Sequence, residues 1–136
     1  MADRDDVLLE ISDFETLNAL SRALVEAKFH ETPLDAAVPT SREIAELATR
    51  VADRVEAETA KRYPGIHDAL AGWRQPGEQP ELLEVVRRRL REDQAWSERS
   101  AGERRERVRV LLAPLLPVDA VVDELVAYRD RLDARD

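Results

Sequence analysis

The chain has 136 residues, of which 43% are hydrophobic and 37% charged, and its formal net charge is −8. This length and apolar content suit one folded domain and are unlike those of a disordered chain. The absence of cysteine excludes disulfides, thiolate metal sites and a cysteine nucleophile, and the acidic balance disfavours unselective binding to nucleic acid.

Strong helix formers dominate the composition, and neither hairpin dipeptides nor alternating apolar and polar residues indicate a strand. We therefore predict an all-α fold, built as a compact bundle of about five or six mostly antiparallel amphipathic helices. Residues 1–136 form a single helical domain in this interpretation. Within it, 1–11 are either a mobile arm or partly an extra helical turn, and 133–136 are a frayed tail.

Neither a targeting signal nor a membrane span is predicted. The first six residues carry a net negative charge, whereas a signal peptide begins with a positively charged segment. The longest apolar run, Val110 to Val118, is interrupted by two prolines and is far shorter than the ~20 residues of a membrane helix. We expect a cytoplasmic protein that does not associate with membranes.

The first predicted helix begins near Ser12, because Ser12 and Glu15 have the spacing of a capping box. Its apolar stripe consists of Phe14, Leu17, Leu20, Leu24 and Ala27. This three- and four-residue spacing predicts a helix that packs on one side and ends near Phe29 to Glu31. Residues 32–39, with two prolines, are interpreted as a connector.

The second predicted helix begins at a capping box of Thr40 and Glu43 and ends at Tyr63-Pro64-Gly65. Its apolar stripe consists of Ile44, Leu47, Ala48, Val51 and Val55. The stripe thins after Val55, so the last turns are predicted to face solvent or a partner. Residues 66–73 are predicted as a short helix.

Three further helices are predicted after the polar loop 75–80. The first of them begins at Pro80 or Glu81. The second begins after Ser100, with Glu103 completing a capping box, and the third begins after Pro117, with Asp119 as N-cap. Pro114 should kink or end the fourth helix. The residues expected to face the core are Leu82, Leu83, Val86 and Leu90, then Val108, Leu111, Leu112 and Leu115, and finally Val121, Val122, Leu125 and Leu132.

The two histidines, His30 and His67, lack the partners that a zinc or di-iron site requires. Neither a His-x-x-x-His pair nor a Glu-x-x-His motif occurs, and there is no cysteine. Glycine-rich phosphate loops and serine nucleophile elbows are absent as well. We expect no metal and no cofactor.

Arg62 and His67 are separated by four residues, which resembles the Arg-x4–6-His motif of HEPN-type all-α nucleases. The resemblance implies a histidine that activates a ribose hydroxyl and an arginine that holds the phosphate. The sequence departs from the pattern, because Tyr63 occupies the usual polar position and Pro64-Gly65 interrupts the helix. A helix-end arginine and an unrelated loop histidine are the favoured interpretation.

A second candidate is a basic face in the middle of the chain. Its members are Arg87, Arg88, Arg91, Arg104 and Arg105. Such a face suits an acidic protein, a phosphate ligand or RNA. However, ten arginines share the stretch from Arg74 to Val110 with eight acidic residues, so a solvated face with internal ion pairs is favoured.

Trp73 and Trp96 are candidate anchors of an interface, since large aromatic side chains often dominate binding energy. Both also lie where an aromatic side chain would close a small core. The core interpretation is favoured for both residues.

These observations favour a non-enzymatic helical module for protein–protein interaction: an adaptor, a regulatory or inhibitor subunit, or a small assembly component. A protein partner or self-association is expected, whereas nucleic acid is disfavoured. The alternatives are a HEPN-like ribonuclease using Arg62 and His67, and a helical sensor with an apolar cavity for a small ligand and an arginine at its mouth.

Overall fold

A computed structural model describes residues 7–66 and 72–135, and in these ranges the protein is all-α without a strand. Its helices are α1 (Phe14–Lys28), α2 (Ala37–Thr40), α3 (Arg42–Arg62), α4 (Pro80–Arg91), α5 (Ala101–Leu112) and α6 (Asp119–Ala134). Single 3-10 turns lie at Gly72–Arg74, Pro76–Glu78 and Trp96–Glu98. The predicted all-α bundle with five long helices is confirmed.

The first two helix starts lie one residue later than the sequence predicts. Asp13, not Ser12, caps α1, and its carboxylate accepts a hydrogen bond of 2.9 Å from the main-chain N–H of Thr16. Ser41, not Thr40, caps α3 by accepting from the N–H of Ile44 at 3.2 Å. In both helices the cap is still a side-chain oxygen, because each of the two adjacent residues can accept a hydrogen bond from the unpaired main-chain N–H groups at the helix start.

The later helix starts agree more closely with the prediction. Ser100 and Glu103 form the complete capping box of α5, with bonds of 3.2 and 3.0 Å. The α6 helix begins at Asp119, which is its first helical residue, so Val118 occupies the N-cap position instead. Pro114 follows the end of α5, as predicted.

Four regions outside the predicted long helices differ from the prediction or complete it. Residues 7–11 form no helical turn, and Val7, Leu8 and Leu9 are exposed. The connector contains the short helix α2, and α6 continues to Ala134 into the predicted tail. Of the short helix predicted over 66–73, residues 67–71 lie outside the described residues, and Gly72–Arg74 is a 3-10 turn.

The main core lies between α4, α5 and α6, with Phe29 from the end of α1. Its buried members are Phe29, Val85, Val86, Leu90, Trp96, Val108, Leu111, Leu112, Leu115, Val122 and Leu125. All four core residues predicted for α5 and the turn after it are among them. Ion pairs between Arg104 and Asp130 and between Arg109 and Asp119 show that α5 and α6 run antiparallel.

The buried faces of α1 and α3 overlap the predicted stripes only in part. In α1 the buried residues are Ser21 and Lys28, which lie on the same face as the half-buried Leu17 and Leu24, whereas Ala27 is exposed. In α3 Ala48 and Val51 are buried as predicted, Ala45, Ala52 and Thr59 are buried as well, and Leu47 is 42% exposed. Ala45 packs with Val110 and Ala113, so the buried face of α3 also contacts the end of α5.

No helix in the described ranges combines the length and the apolar character that crossing a bilayer requires.

Candidate functional site

An open cleft of about 550 Å³ lies between α1 and α3. The guanidinium of Arg62, at the end of α3, sits 5.0 Å from the ring centre of Phe14, at the start of α1, so the two helices are antiparallel. The apolar side chains that line the cleft are Phe14, Val25, Val55, Tyr63, Ile66 and Trp73. Of these, Tyr63 and Ile66 are each 51% exposed.

The cleft exists because small side chains line the contact between the helices while larger ones line its sides. Ser21 of α1 and Ala52 and Thr59 of α3 are buried and contribute to the lining. The Thr59 hydroxyl donates to the main-chain carbonyl of Val55 at 2.7 Å. Its polar atom is thus satisfied within its own helix, and the wall keeps an apolar character.

Trp73 is held in the cleft wall by the residues next to it. The carbonyl of Trp73 accepts from the side-chain amide of Gln79 at 3.0 Å. The following residue, Arg74, is buried and donates from Nε to the carbonyl of Pro114 at 2.9 Å and from Nη1 to Asp53 at 2.8 Å. These bonds fix the 3-10 turn between α3 and the segment after α5, and they position the indole.

Charged residues border the cleft unevenly. Arg62 lies at the Phe14 end, and Arg22, Glu26 and Glu56 line the cleft further along the two helices. The Glu58 carboxylate is shared by three cations, at 3.1 Å from Arg54, 3.7 Å from Lys61 and 3.8 Å from Arg62. Glu58 is therefore the common partner of the three cations in the last turns of α3.

The predicted nuclease pair is not brought together by any contact in the described residues. Arg62 is directed to Phe14 and Glu58. His67 lies outside the described residues, so the pairing stays an untested prediction. The other histidine, His30, is exposed after α1, where its Nδ1 accepts from the N–H of Thr32 at 3.0 Å.

Four of the five arginines of the predicted basic face form ion pairs within the chain. Arg87 and Arg91 pair with Glu84 at 3.6 and 3.5 Å. Arg104 pairs with Asp130 at 3.2 Å, and Arg105 pairs with Asp119 and Asp123. Arg88 is half-buried in α4. The arrangement matches the alternative of a solvated face with internal ion pairs.

The two tryptophans have different environments. Trp96 is fully buried, and its indole Nε1–H donates to Asp130 at 2.8 Å. The guanidinium groups of Arg104 and Arg129 lie 5.5 and 5.9 Å from its ring centre. This environment agrees with the favoured core interpretation of Trp96, because its surface is covered by its own chain. Trp73 is half-buried and lines the cleft, so it is accessible to a ligand.

A second group of charged residues was not singled out by the sequence. Asp93 is 8% exposed and accepts from Arg99 at 3.0 Å, and Arg107 lies at 3.6 Å. Burial alone would raise the pKa of Asp93, but hydrogen bonds from Arg99 and from the Ala95 N–H, with the two arginine charges, hold it below its usual value. The group joins the loop after α4 to α5.

Sequence reasoning missed the cleft because it followed the large apolar residues. The available signal was the set of small residues on one face of each helix, such as Ser21 in α1 and Ala48 and Ala52 in α3. Facing small residues predict a close helix contact, and the larger neighbours then stand at its sides.

No protein-family model, no curated protein and no solved structure matches this chain. Among the described residues, no group of histidine and carboxylate side chains is arranged to hold a metal ion.

Proposed function

We propose that this protein is a non-enzymatic interaction module that binds a short apolar segment of another polypeptide in the α1–α3 cleft. The observation that carries the proposal is the cleft itself. Its walls include Phe14, Val55 and Trp73, which are each only half-buried, and Trp73 also packs against the main core.

The distribution of polar groups supports a polypeptide as the occupant. Apolar residues line the centre, and Arg22, Glu26 and Glu56 lie among the residues at its border. An apolar centre within a polar rim is the usual composition of a protein interface. Tyr63 and Ile66, which also line the cleft, are each half exposed and add large apolar surface that a partner could cover.

Site-specific photo-crosslinking tests the proposal. A photoreactive phenylalanine analogue at position 63 or 66 is expected to capture a polypeptide in host extract, and peptide sequencing identifies the captured segment. The same analogue at Leu34, which is fully exposed but outside the cleft, is the control. A synthetic peptide of the captured segment should bind the purified protein and protect Trp73 from quenching.

Matched variants then establish that the peptide uses the cleft. Tyr63→Ser and Ile66→Ser remove exposed apolar surface and should weaken peptide binding by about tenfold or more, whereas Leu34→Ser should not. Equal affinity for all three variants, or capture at position 34 as strong as at 63, contradicts the proposal.

A small apolar ligand is the second candidate, because a volume of about 550 Å³ lies in the range of small-molecule sites. A ligand that binds only the folded protein raises its melting temperature. A compound that does so with the wild type but not with Val55→Glu, in the absence of any captured polypeptide, favours this candidate.

A further inference from the structure

The arm formed by residues 7–11 is an apolar segment without cover. Leu8 is 99% exposed, and Val7 and Leu9 are 53% and 70% exposed. Three consecutive large apolar residues in water are unfavourable, since each loses the free energy that burial would provide. The arm therefore has the apolar composition of a segment that binds in an apolar cleft.

The open cleft lies beside the point where this arm leaves the helix. Asp13 caps α1, and its carboxylate accepts from both the N–H and the hydroxyl of Thr16, at 2.9 and 2.7 Å. Phe14, the next residue, lines the cleft. In this structure none of the residues 7–11 lines the cleft.

The arm and the cleft also carry charged residues of opposite sign. The sequence places Asp5 and Asp6 directly before the arm, and Glu10 lies within it. The end of the cleft next to Phe14 carries Arg62, which also pairs with Glu58 at 3.8 Å. A carboxylate of the arm, such as Glu10, is complementary to this guanidinium.

We propose that two copies of this chain exchange their arms, so that Val7–Ile11 of each copy docks in the α1–α3 cleft of the other. This inference rests on the proposed function of the cleft and names its ligand as a second copy. Ligand and cleft are on the same chain, so a two-fold arrangement fills both clefts at once and closes without further copies.

Sedimentation equilibrium of the full chain measures the assembly directly. We expect a mass that rises with concentration from one chain to two chains and no higher. A single-chain mass at all concentrations overturns the proposal, and so does growth beyond the dimer.

Three variants locate the contact. Leu8→Asp with Leu9→Asp places charge in the arm, and Tyr63→Ser with Ile66→Ser removes apolar surface at the cleft. Leu34→Asp is the matched control, because Leu34 is fully exposed and lies outside both. We expect the arm and cleft variants to dimerise about tenfold or more weakly than the wild type, and the control to be unchanged. A dimer insensitive to both double substitutions overturns the proposal.

Mixing the two double variants tests exchange itself. The arm variant keeps an intact cleft, and the cleft variant keeps an intact arm, so a mixed pair restores one of the two contacts. With one variant carrying a mass tag, heterodimers should form more readily than either homodimer. Heterodimers no stronger than the homodimers overturn the proposal, since any symmetric interface elsewhere would behave that way.

The two proposals fail differently in these experiments. A wild-type protein that stays a single chain while position 63 captures a foreign polypeptide refutes arm exchange and leaves the interaction module intact. A monomer with no polypeptide captured at position 63 or 66 removes both proposals.

Discussion

The ammonium group of Lys28, in α1, donates a hydrogen bond of 2.6 Å to the main-chain carbonyl of Ala113, 85 residues away. It also donates to the carbonyl of Val110. The residue four positions after Val110 is Pro114, which has no N–H, so no helical bond can satisfy that carbonyl. Lys28 thus supplies from another helix the donor that the end of α5 lacks.

This contact makes stability depend on pH through Lys28. Burial lowers the pKa of Lys28 to about 7, whereas an unfolded chain has a lysine pKa of about 10.4. Between these values the unfolded state binds more protons, so the free energy of unfolding rises with pH, by at most about 1.4 kcal/mol per unit. Below pH 7 both states are protonated and the contribution is constant.

Lys28→Met should remove this rise in chemical denaturation measured across the same range of pH. At the alkaline end the variant should also be less stable by about 1–3 kcal/mol, because two carbonyls lose their donor. Lys61→Met is the matched control, since Lys61 is 70% exposed and should leave the pH profile unchanged. Parallel pH profiles for wild type and Lys28→Met would contradict the assignment.

Val51→Asp should destabilise the fold strongly, by about 3 kcal/mol or more. Val51 is 7% exposed in α3, and a carboxylate there is taken from water without a partner. Leu47→Asp, one turn earlier, should cost about 1 kcal/mol or less because Leu47 is 42% exposed. Thermal melts of the two proteins check the difference, and similar losses would mean that the buried face of α3 is misassigned.

Asp93→Asn should destabilise the protein by about 2 kcal/mol, because the arginines at positions 99 and 107 lose their shared carboxylate. The pKa of Asp93 is lower in the folded protein than in the unfolded chain. Its charge therefore contributes stability above the unfolded value of about 3.9, and that stability is lost as pH falls through the folded pKa.

Urea denaturation of Asp93→Asn at neutral and acid pH should accordingly show a smaller loss on acidification than the wild type shows. Glu92→Gln, at the neighbouring exposed residue, is a suitable control. An acid limb of the same steepness in Asp93→Asn and wild type would contradict the prediction.

Tryptophan fluorescence should separate the two indoles. With Trp73→Phe, only the fully buried Trp96 remains, and its emission should be blue-shifted and resistant to an aqueous quencher. With Trp96→Phe, the remaining Trp73 should be quenched through the cleft. That variant should also lose about 1–2 kcal/mol, since Asp130 loses the indole donor. Equal quenching of the two variants would contradict the assigned environments.

Local sequence patterns were sufficient to predict a helix where its start is fixed by residues adjacent in sequence. The capping box of Ser100 and Glu103 and the apolar spacing of Val108, Leu111 and Leu112 predicted α5 correctly, because both act within a turn or two of helix. At Ser12 and Thr40 the prediction was displaced by one residue, since two adjacent side chains each offer a capping oxygen and the backbone decides between them.

The sequence by itself determined the all-α class, the five long helices and most of the core of α5 and α6, because helical periodicity and caps are local. Only the tertiary structure decided that Lys28 is buried beside the half-buried leucines of α1. The carbonyls that its ammonium satisfies, those of Val110 and Ala113, belong to a part of the chain more than 80 residues away. The position of the cleft was also decided by the tertiary structure, because it depends on how α1 and α3 pack against each other.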